Sequence, residues 1–193
     1  CDRIRAAGIR TIIKLNGWQH TVRYNRRPVW RKGACGLPEL VVSLPFSKTR
    51  GGHRVTIYHI ARRDLRPQRR RVVRYMERQI GLLFKELTKL KPSDLPLLMH
   101  CSVGRDRTGI VLAMLQQLAG ANRRAVEADY LASKDTVGHT SVVSLRRVLK
   151  RMKPLKRYLR KQLGLSYWDL HLLKRLMRGK KPRRTVLRRA PLR

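Results

Sequence analysis

Short apolar runs along the chain predict three buried strands. The runs at 10–15, 39–44 and 95–100 are rich in aliphatic and β-branched residues, a composition typical of strands that are covered on both faces. Turn-forming residues follow the first two runs, so each is short enough for a strand. The polar and basic stretch at 18–36 predicts irregular structure between the first two strands.

The region after the second run is harder to interpret from its pattern. Residues 47–54 are rich in Gly and basic side chains, which predicts a loop. Residues 55–60 are compatible with either a strand or a helix, because a short apolar run does not distinguish the two.

Longer amphipathic stretches predict helices. At 67–90 the apolar residues recur at steps of three and four, which places them on one helical face. Residues 4–7 resemble the end of a helix that stops at Gly8. A helix at 108–119 follows the third strand, and Ser166 with Asp169 has the spacing of a capping box. Further helices are predicted near 123–133, 141–152, 154–163 and 167–178.

The order of these elements predicts an α/β domain with a central, mostly parallel sheet flanked by helices. In such sheets ligands bind beyond the carboxyl ends of the strands, where a loop enters a helix. The loop between the strand at 95–100 and the helix at 108–119 is therefore the first place to look for a site.

That loop carries the most informative residues in the chain. It contains a Cys and an Arg separated by five residues, with a Gly between them and Thr-Gly after the Arg, in the order His100-Cys101-Ser102-Val103-Gly104-Arg105-Asp106-Arg107-Thr108-Gly109. A Cys and an Arg at this spacing arise easily by chance in a basic chain. The full string between an apolar strand and an amphipathic helix is far more specific, and it favours a function over a buried structural Cys.

The chemistry of this string predicts an anion cradle. A tight loop from Cys101 to Arg107 directs successive N–H groups inward, and the helix that follows adds its positive end. Gly104 permits the turn, and Arg107 offers a planar fork of donors that matches two phosphate oxygens. The same field lowers the pKa of the Cys101 thiol, so that a thiolate nucleophile is expected at neutral pH.

The remaining loop residues have predicted supporting roles. The main chain of Ser102, Val103, Gly104 and Arg105 is expected to bind the substrate together with Arg107. The Thr108 hydroxyl is expected to stabilise the departing thiolate, or only to cap its helix. His100 is expected to orient the loop through hydrogen bonds.

A cysteine nucleophile of this kind needs an acid for the leaving group, and two carboxyls are candidates. Asp64 precedes the long helix at 67–90, and Asp106 lies within the loop. The residues alone do not choose between them. The chemistry requires no metal and no other cofactor.

The loop resembles that of the bacterial atypical protein-tyrosine/phosphoinositide phosphatases, whose pattern is His-Cys-x2-Gly-Lys-Asp-Arg-Thr-Gly. The similarity extends to the strand at 7–15, to Leu44-Pro45-Phe46, to the helix at 126–133 and to 158–170. The resemblance implies a cysteine-based protein-tyrosine-phosphatase-like fold.

For the loop, the resemblance implies Cys101 as nucleophile, Arg107 as phosphate clamp and Asp106 as acid and base. Asp129 and Tyr130 are expected to be structural.

Three features depart from the family pattern. Arg105 replaces a Lys, which keeps the charge but changes its geometry. Asn16 stands where the family has an Arg, so one support of the loop is expected to be missing. An element that the family often carries ahead of residue 1 is absent from the sequence.

The composition adds an unusual charge to this picture. Lys and Arg total 47 against 11 Asp and Glu, a formal net charge of +36. Such a field attracts polyanions such as nucleic acid, acidic membranes and phosphorylated substrates. Because the basic residues are spread along the whole chain, a merely solvated basic surface is the alternative interpretation.

The cysteines are few and scattered, at positions 1, 35 and 101, which argues against a disulfide framework and a structural zinc site.

We expect a phosphatase domain at 1–177, with a truncated N-terminus, and a basic disordered tail at 178–193. No apolar run is long enough to span a bilayer. We expect a cytoplasmic protein, with secretion as the alternative because the sequence begins without a Met or a signal region.

The resulting functional prediction is a protein-tyrosine phosphatase. The expected substrates are phosphotyrosine proteins, with phosphoserine, phosphothreonine or phosphoinositides as further classes. An RNA 5′-phosphatase of the same chemistry is one alternative, although aromatic residues make up only 6% of the chain and form no stacking platform. A pseudophosphatase that binds phosphate without turnover is the other.

Overall fold

The computed structural model describes residues 1–16, 27–45, 47–48, 54–132 and 141–179. Within these ranges the chain forms a four-stranded sheet, a two-stranded ribbon and seven α-helices. The predicted α/β class, with a mostly parallel sheet flanked by helices, is confirmed.

The central sheet brings the carboxyl ends of three strands to one edge. Its order is β2-β3-β1-β6, with β1 parallel to both β3 and β6, and β2 antiparallel to β3. The main chain of Lys14 pairs with that of His100, which is the last residue of β6. The strands are β1 (Thr11–Lys14), β2 (Val29–Lys32), β3 (Pro38–Val41), β6 (Leu97–His100) and, in the ribbon, β4 (Ser47–Lys48) and β5 (Arg54–Val55).

The helices follow the apolar periodicity closely. α3 starts at Asp106, two residues earlier than predicted, and α2 ends at Leu87 rather than at residue 90. The capping box at the last helix forms as the sequence indicates, because Ser166 accepts from the Asp169 amide and Asp169 accepts from the Ser166 amide. The helices are α1 (Asp2–Ala6), α2 (Pro67–Leu87), α3 (Asp106–Ala119), α4 (Arg123–Leu131), α5 (Val142–Arg151), α6 (Leu155–Lys161) and α7 (Tyr167–Met177).

One hydrophobic core holds the candidate loop in place. The apolar faces of α2 and α3 and the sheet residues between them are fully buried, among them Ile13, Leu40, Met76, Ile80 and Val111. α3 also packs against α4, α6 and α7. The loop that ends β6 and begins α3 is therefore anchored on both sides by buried elements.

Two local predictions differ from the structure. The stretch expected to be irregular contains β2, an edge strand whose four side chains are all exposed, so it lacks the apolar alternation that reveals a strand. The run at 55–60, which was compatible with two structures, ends the strand β5 and then forms a 3₁₀ helix at Ile57–His59.

The expectation of no disulfide is wrong. Cys1 and Cys35 form a disulfide bridge with a Cα–Cα distance of 5.3 Å, while Cys101 is free and buried. The bridge ties the start of α1 to the short turn between β2 and β3. Scattered cysteines can pair across a fold when distant segments meet, which their spacing does not reveal.

Some predictions concern residues that the structure does not describe. Most of the Gly-rich loop at 47–54 and all but the first two residues of the tail at 178–193 lie outside the described residues. The proposed domain boundary therefore stays a prediction. Among the described helices, none is both long and apolar enough to cross a membrane.

Candidate active site

The candidate site is the loop from Cys101 to Arg107, which we call the cradle. It begins directly after β6 and ends in the first turn of α3. Gly104 has a φ of +81°, a conformation that favours glycine, and it lets the chain turn back over the sulfur. The sequence prediction of a strand, a tight loop and a helix start is thus what the structure shows.

Main-chain amides of the cradle point at the sulfur of Cys101. The Gly104 amide donates a hydrogen bond to Cys101 Sγ at 3.2 Å. Burial alone raises the pKa of the Cys101 thiol, but the nearby hydroxyl and amide of Thr108 and the amides of Val103 and Gly104 outweigh it. The pKa of the thiol therefore lies below its ordinary value. This arrangement favours the thiolate, the nucleophilic form of cysteine.

Thr108 lies on the other side of the sulfur, in the first turn of α3. Its amide and its hydroxyl both lower the pKa of Cys101. The hydroxyl is buried and forms no hydrogen bond of full geometry with any residue that the structure describes. We interpret its contact with the sulfur as a dipolar one, and the hydroxyl is free to turn fully toward a thiolate.

Arg107 is held at the edge of the cradle by two acceptors. Its Nη1 donates to the Leu44 carbonyl at 3.1 Å and its Nη2 to the Ser102 hydroxyl at 3.0 Å. Leu44 follows β3, and so the guanidinium is positioned from the carboxyl end of a strand that β1 separates from β6. The edge of the planar guanidinium, which carries its N–H donors, is thereby kept in a fixed place next to the loop.

Asn16 supplies a support that the sequence analysis expected to be missing. Its Nδ2 donates to Ser102 Oγ at 3.2 Å, and Ser102 in turn accepts from Arg107. A short amide after β1 therefore reaches the cradle, where the family pattern has a longer Arg. His100 Nδ1 lies 3.1 Å from the Cys101 carbonyl oxygen, and the orienting role of His100 stays a prediction.

Asp106 is surrounded by donors at the mouth of α3. Arg105 Nε lies 2.8 Å and Tyr58 Oη 2.6 Å from Asp106 Oδ1. Burial raises the pKa of the Asp106 carboxyl, but the hydrogen bonds from Arg105 and Tyr58 outweigh burial and lower it below its ordinary value. The carboxylate is thus the resting form, held in one orientation.

Comparison with known proteins decides the family. The model of the tyrosine phosphatase family matches residues 1–156 of this chain. The chain belongs to the tyrosine phosphatase family. This match confirms that the chain is a protein-tyrosine phosphatase by family, as the loop resemblance implied.

A curated relative is similar over a short stretch. The triple specificity protein phosphatase PtpB of Mycobacterium tuberculosis is 48% identical to this family member over 42 residues. The stretch is 22% of this chain and 15% of PtpB, so the chain matches only a small part of that protein's length.

The second acid candidate of this phosphatase lies apart from the cradle. Asp64 is exposed, with 68% of its side chain accessible, and it is ion-paired with Arg62. The hydrogen bonds from Arg62 lower the pKa of its carboxyl to about 2. Asp64 shares no hydrogen bond with any cradle residue in the described structure.

Two tyrosines of this phosphatase belong to the site, although the sequence analysis did not place them there. Tyr58 donates to Asp106, and its oxygen is 2.5 Å from the hydroxyl of Tyr130. Since the Tyr58 hydrogen goes to the carboxylate, the Tyr130 hydroxyl is the donor to Tyr58. Burial and the Asp106 hydrogen bond raise the pKa of Tyr58, so its hydroxyl stays a donor.

A sequence signal for Tyr130 does exist in the cradle motif itself. A Cβ added at Gly109 would lie 2.6 Å from two ring carbons of Tyr130. The Gly after Thr108 is therefore required by the aromatic ring packed on α3. No comparable signal marks Tyr58, which reaches the site from a 3₁₀ helix that the pattern did not predict.

Within the described ranges, no cluster of three or more His, Cys, Asp or Glu side chains is placed to hold a metal ion.

Proposed function

We propose that this family member hydrolyses phosphomonoesters through a cysteinyl-phosphate intermediate on Cys101. The observation that carries the proposal is the inward-facing Gly104 amide at 3.2 Å from the sulfur, together with the lowered pKa of the thiol. Amides that stabilise a thiolate also stabilise the equatorial oxygens of a phosphoryl group above it.

In the first step the Cys101 thiolate attacks phosphorus while the bond from phosphorus to the leaving oxygen breaks. The cradle amides and Arg107 neutralise the charge on the phosphoryl oxygens. The leaving oxygen takes a proton, for which we propose Asp106. Its resting pKa is low, but a doubly negative ester nearby opposes that effect and favours the protonated carboxyl.

In the second step a water molecule attacks the cysteinyl phosphate. Asp106, now a carboxylate, accepts the proton of that water, and the bond between sulfur and phosphorus breaks. The products are orthophosphate and the thiolate, which the Thr108 hydroxyl and the loop amides stabilise as it leaves. Tyr58 and Tyr130 hold the carboxylate in place and are positioning residues.

We propose phosphotyrosine proteins as the main substrates, with phosphoserine, phosphothreonine or phosphoinositides as further classes. Two findings support this breadth: the family match over residues 1–156, and the words "triple specificity" in the name of the similar protein PtpB. Val103 is 54% exposed in the cradle, which supports an open site that accepts flat and bulky leaving groups.

Turnover of a small aryl phosphate by Cys101→Ser tests the proposal. We expect turnover to fall at least about a thousandfold, because the hydroxyl is a far weaker nucleophile, while phosphopeptide binding persists. The matched control is Cys1→Ser with Cys35→Ser, which removes the other two cysteines and is expected to keep turnover.

Three other results would overturn this assignment. Full activity in Cys101→Ser would exclude the cysteine mechanism. Stoichiometric phosphopeptide binding by the wild-type chain without any turnover would identify a pseudophosphatase. Faster turnover of 5′-triphosphorylated RNA than of a phosphotyrosine peptide would identify an RNA 5′-phosphatase.

A further inference from the structure

A groove rich in arginine lies between the first half of α2 and the segment that joins α5 to α6. It consists of two adjoining cavities of about 240 and 480 Å³. Arg63, Arg151, Tyr158 and Gln162 line both cavities, so the two form one continuous groove. We call this groove, which has no part in the chemistry proposed for Cys101, the arginine groove.

More than half of the residues that line the arginine groove are cationic. Five of the ten residues around the smaller cavity are arginines, and five of the eight around the larger one are Arg or Lys. The one carboxylate of the lining is Glu77, which is buried and already accepts hydrogen bonds from the Tyr158 hydroxyl at 2.8 Å and the Ala61 amide at 3.1 Å. Glu77 is therefore hydrogen-bonded within the protein and forms no ion pair with the arginines of the lining.

Several groove cations have no anionic partner in the part of the chain that the structure describes. Arg62 is paired with Asp64 at the rim, and Arg151 donates to the Tyr58 carbonyl at 3.0 Å. Arg63, Arg157 and Lys161 have no ion pair among the described residues.

The crowding of these cations lowers the pKa of neighbouring cationic groups. Burial lowers the pKa of the Arg151 guanidinium, and the charges of Arg62 and Arg147 lower it further. The pKa of His59, three residues before Arg62, is lowered by burial and by the charges of Arg62 and Arg151. Like charges held this close destabilise the protein, and a bound anion would relieve the repulsion.

A second basic cavity differs from the arginine groove in the pairing of its arginines. It lies between α4 and α5 and is lined by Arg123 and Arg146 among others. Both of these arginines are neutralised by Glu127, at 2.6 and 2.7 Å. Two of the three arginines of this lining are thus ion-paired, whereas in the arginine groove only Arg62 has an ion pair among the described residues.

From this geometry we propose that the arginine groove binds a compact anion bearing two or more phosphate groups. Guanidinium groups match phosphate oxygens through paired hydrogen bonds, and the combined volume of the two adjoining cavities exceeds what a single phosphate needs. A nucleic acid strand would need exposed rings for base stacking, and the Tyr158 ring is buried in the floor with its hydroxyl bonded to Glu77. A peptide would need exposed apolar pockets or a free sheet edge, neither of which lines the groove.

Binding of tripolyphosphate, measured by titration calorimetry at physiological salt, tests the proposal. We expect saturable binding in the wild-type chain and a loss of affinity of about tenfold or more in Arg63→Ala with Arg157→Ala, because each charge-assisted hydrogen bond contributes strongly. The matched control is Arg10→Ala with Arg124→Ala, which removes the same charge from exposed sites elsewhere and is expected to change the affinity less than about twofold.

A further variant separates the arginine groove from the cradle. Arg107→Ala weakens the cradle, so tripolyphosphate binding that persists in this variant belongs to the groove. The Arg63 and Arg157 double variant is expected to keep its turnover of a small aryl phosphate, which would keep a failure of this proposal distinct from a failure of the proposed catalysis.

Three outcomes would overturn the groove assignment. Equal weakening in the groove and control variants would show a diffuse charge effect. Loss of binding in Arg107→Ala would show that the cradle is the site. Tighter binding of a short single-stranded RNA with the same charge would assign the groove to nucleic acid.

Discussion

Asp106 and Asp64 have carboxyls that both titrate low, but for different reasons. Asp64 is exposed, and its pKa is lowered chiefly by the hydrogen bonds from Arg62, with the charge of Arg151 adding to the effect. Asp106 is half-buried and receives hydrogen bonds from Arg105 and Tyr58, next to Arg107 of the cradle. Of the two, Asp106 is the carboxyl held beside the cradle, and a general acid needs a fixed position near the leaving group more than it needs a high resting pKa.

Substitution of the two carboxyls distinguishes these roles. We expect Asp106→Asn to lower kcat for an alkyl phosphate by about a hundredfold or more, since the poor leaving group needs a proton. The loss should be smaller for an aryl phosphate with an acidic leaving group. The isosteric control Asp64→Asn should leave both rates within about twofold. A larger loss in Asp64→Asn than in Asp106→Asn would reverse the assignment.

The residues of the cradle itself could be predicted from the sequence because they are contiguous. Cys101 to Thr108 lie on one loop, and the electrostatics of that loop follow from local geometry. Tyr58, Tyr130 and Asn16 come from separate elements and meet the loop only through tertiary packing. Their roles could not be derived from spacing, and Tyr130 had been expected to be structural.

At the scale of elements, the long periodic helices and the buried parallel strands were predictable, whereas the edge strand and the disulfide were not. α2 and α3 have apolar faces over several turns, so the pattern is strong. β2 is stabilised by pairing with β3 rather than by burial of its own side chains. The Cys1–Cys35 bridge depends on where α1 and the turn after β2 meet, which no local pattern records.

The contact between α2 and the end of α6 permits a test of this packing. A Cβ at Gly81 would collide with the main-chain carbonyl oxygen of Leu163, which cannot move without shifting the backbone. Gly→Ala in a helix ordinarily stabilises it by about 0.5–1 kcal/mol. Here we expect Gly81→Ala to reduce the free energy of unfolding by about 2 kcal/mol or more, because overpacking outweighs the propensity.

Urea unfolding followed by circular dichroism measures this change. Arg78→Ala, on an exposed position of the same helix, is the control and should change the free energy of unfolding by less than about 0.5 kcal/mol. A Gly81→Ala protein as stable as the wild type would show that α2 and residue 163 are not in close contact.

At the scale of the whole molecule, the net charge of +36 is the dominant feature. This value already subtracts all 11 carboxylates, so the ion pairs formed by the described residues do not reduce it. Self-repulsion of this size destabilises the compact state, and salt screens it over a distance of about 10 Å at 0.1 M.

We therefore expect the Tm to rise as sodium chloride is increased from about 10 mM to about 300 mM, over which screening becomes effective. Thermal unfolding followed by circular dichroism checks this, with a neutral osmolyte at matched osmolality as the control for general solvent effects. A Tm that fell with salt would show that favourable ion pairs, rather than repulsion, dominate the electrostatic free energy.

The proposed chemistry depends on the protonation state of the Cys101 sulfur. The rate of alkylation by iodoacetamide as a function of pH reports the pKa of Cys101, because only the thiolate reacts and the other two cysteines are bridged. We predict a midpoint below the ordinary thiol value of about 8.5, no labelling in Cys101→Ser, and a higher midpoint in Thr108→Val, which keeps the shape but loses the hydroxyl. A wild-type midpoint at or above the ordinary value would contradict the thiolate on which the cradle, the mechanism and the proposed phosphatase function all rest.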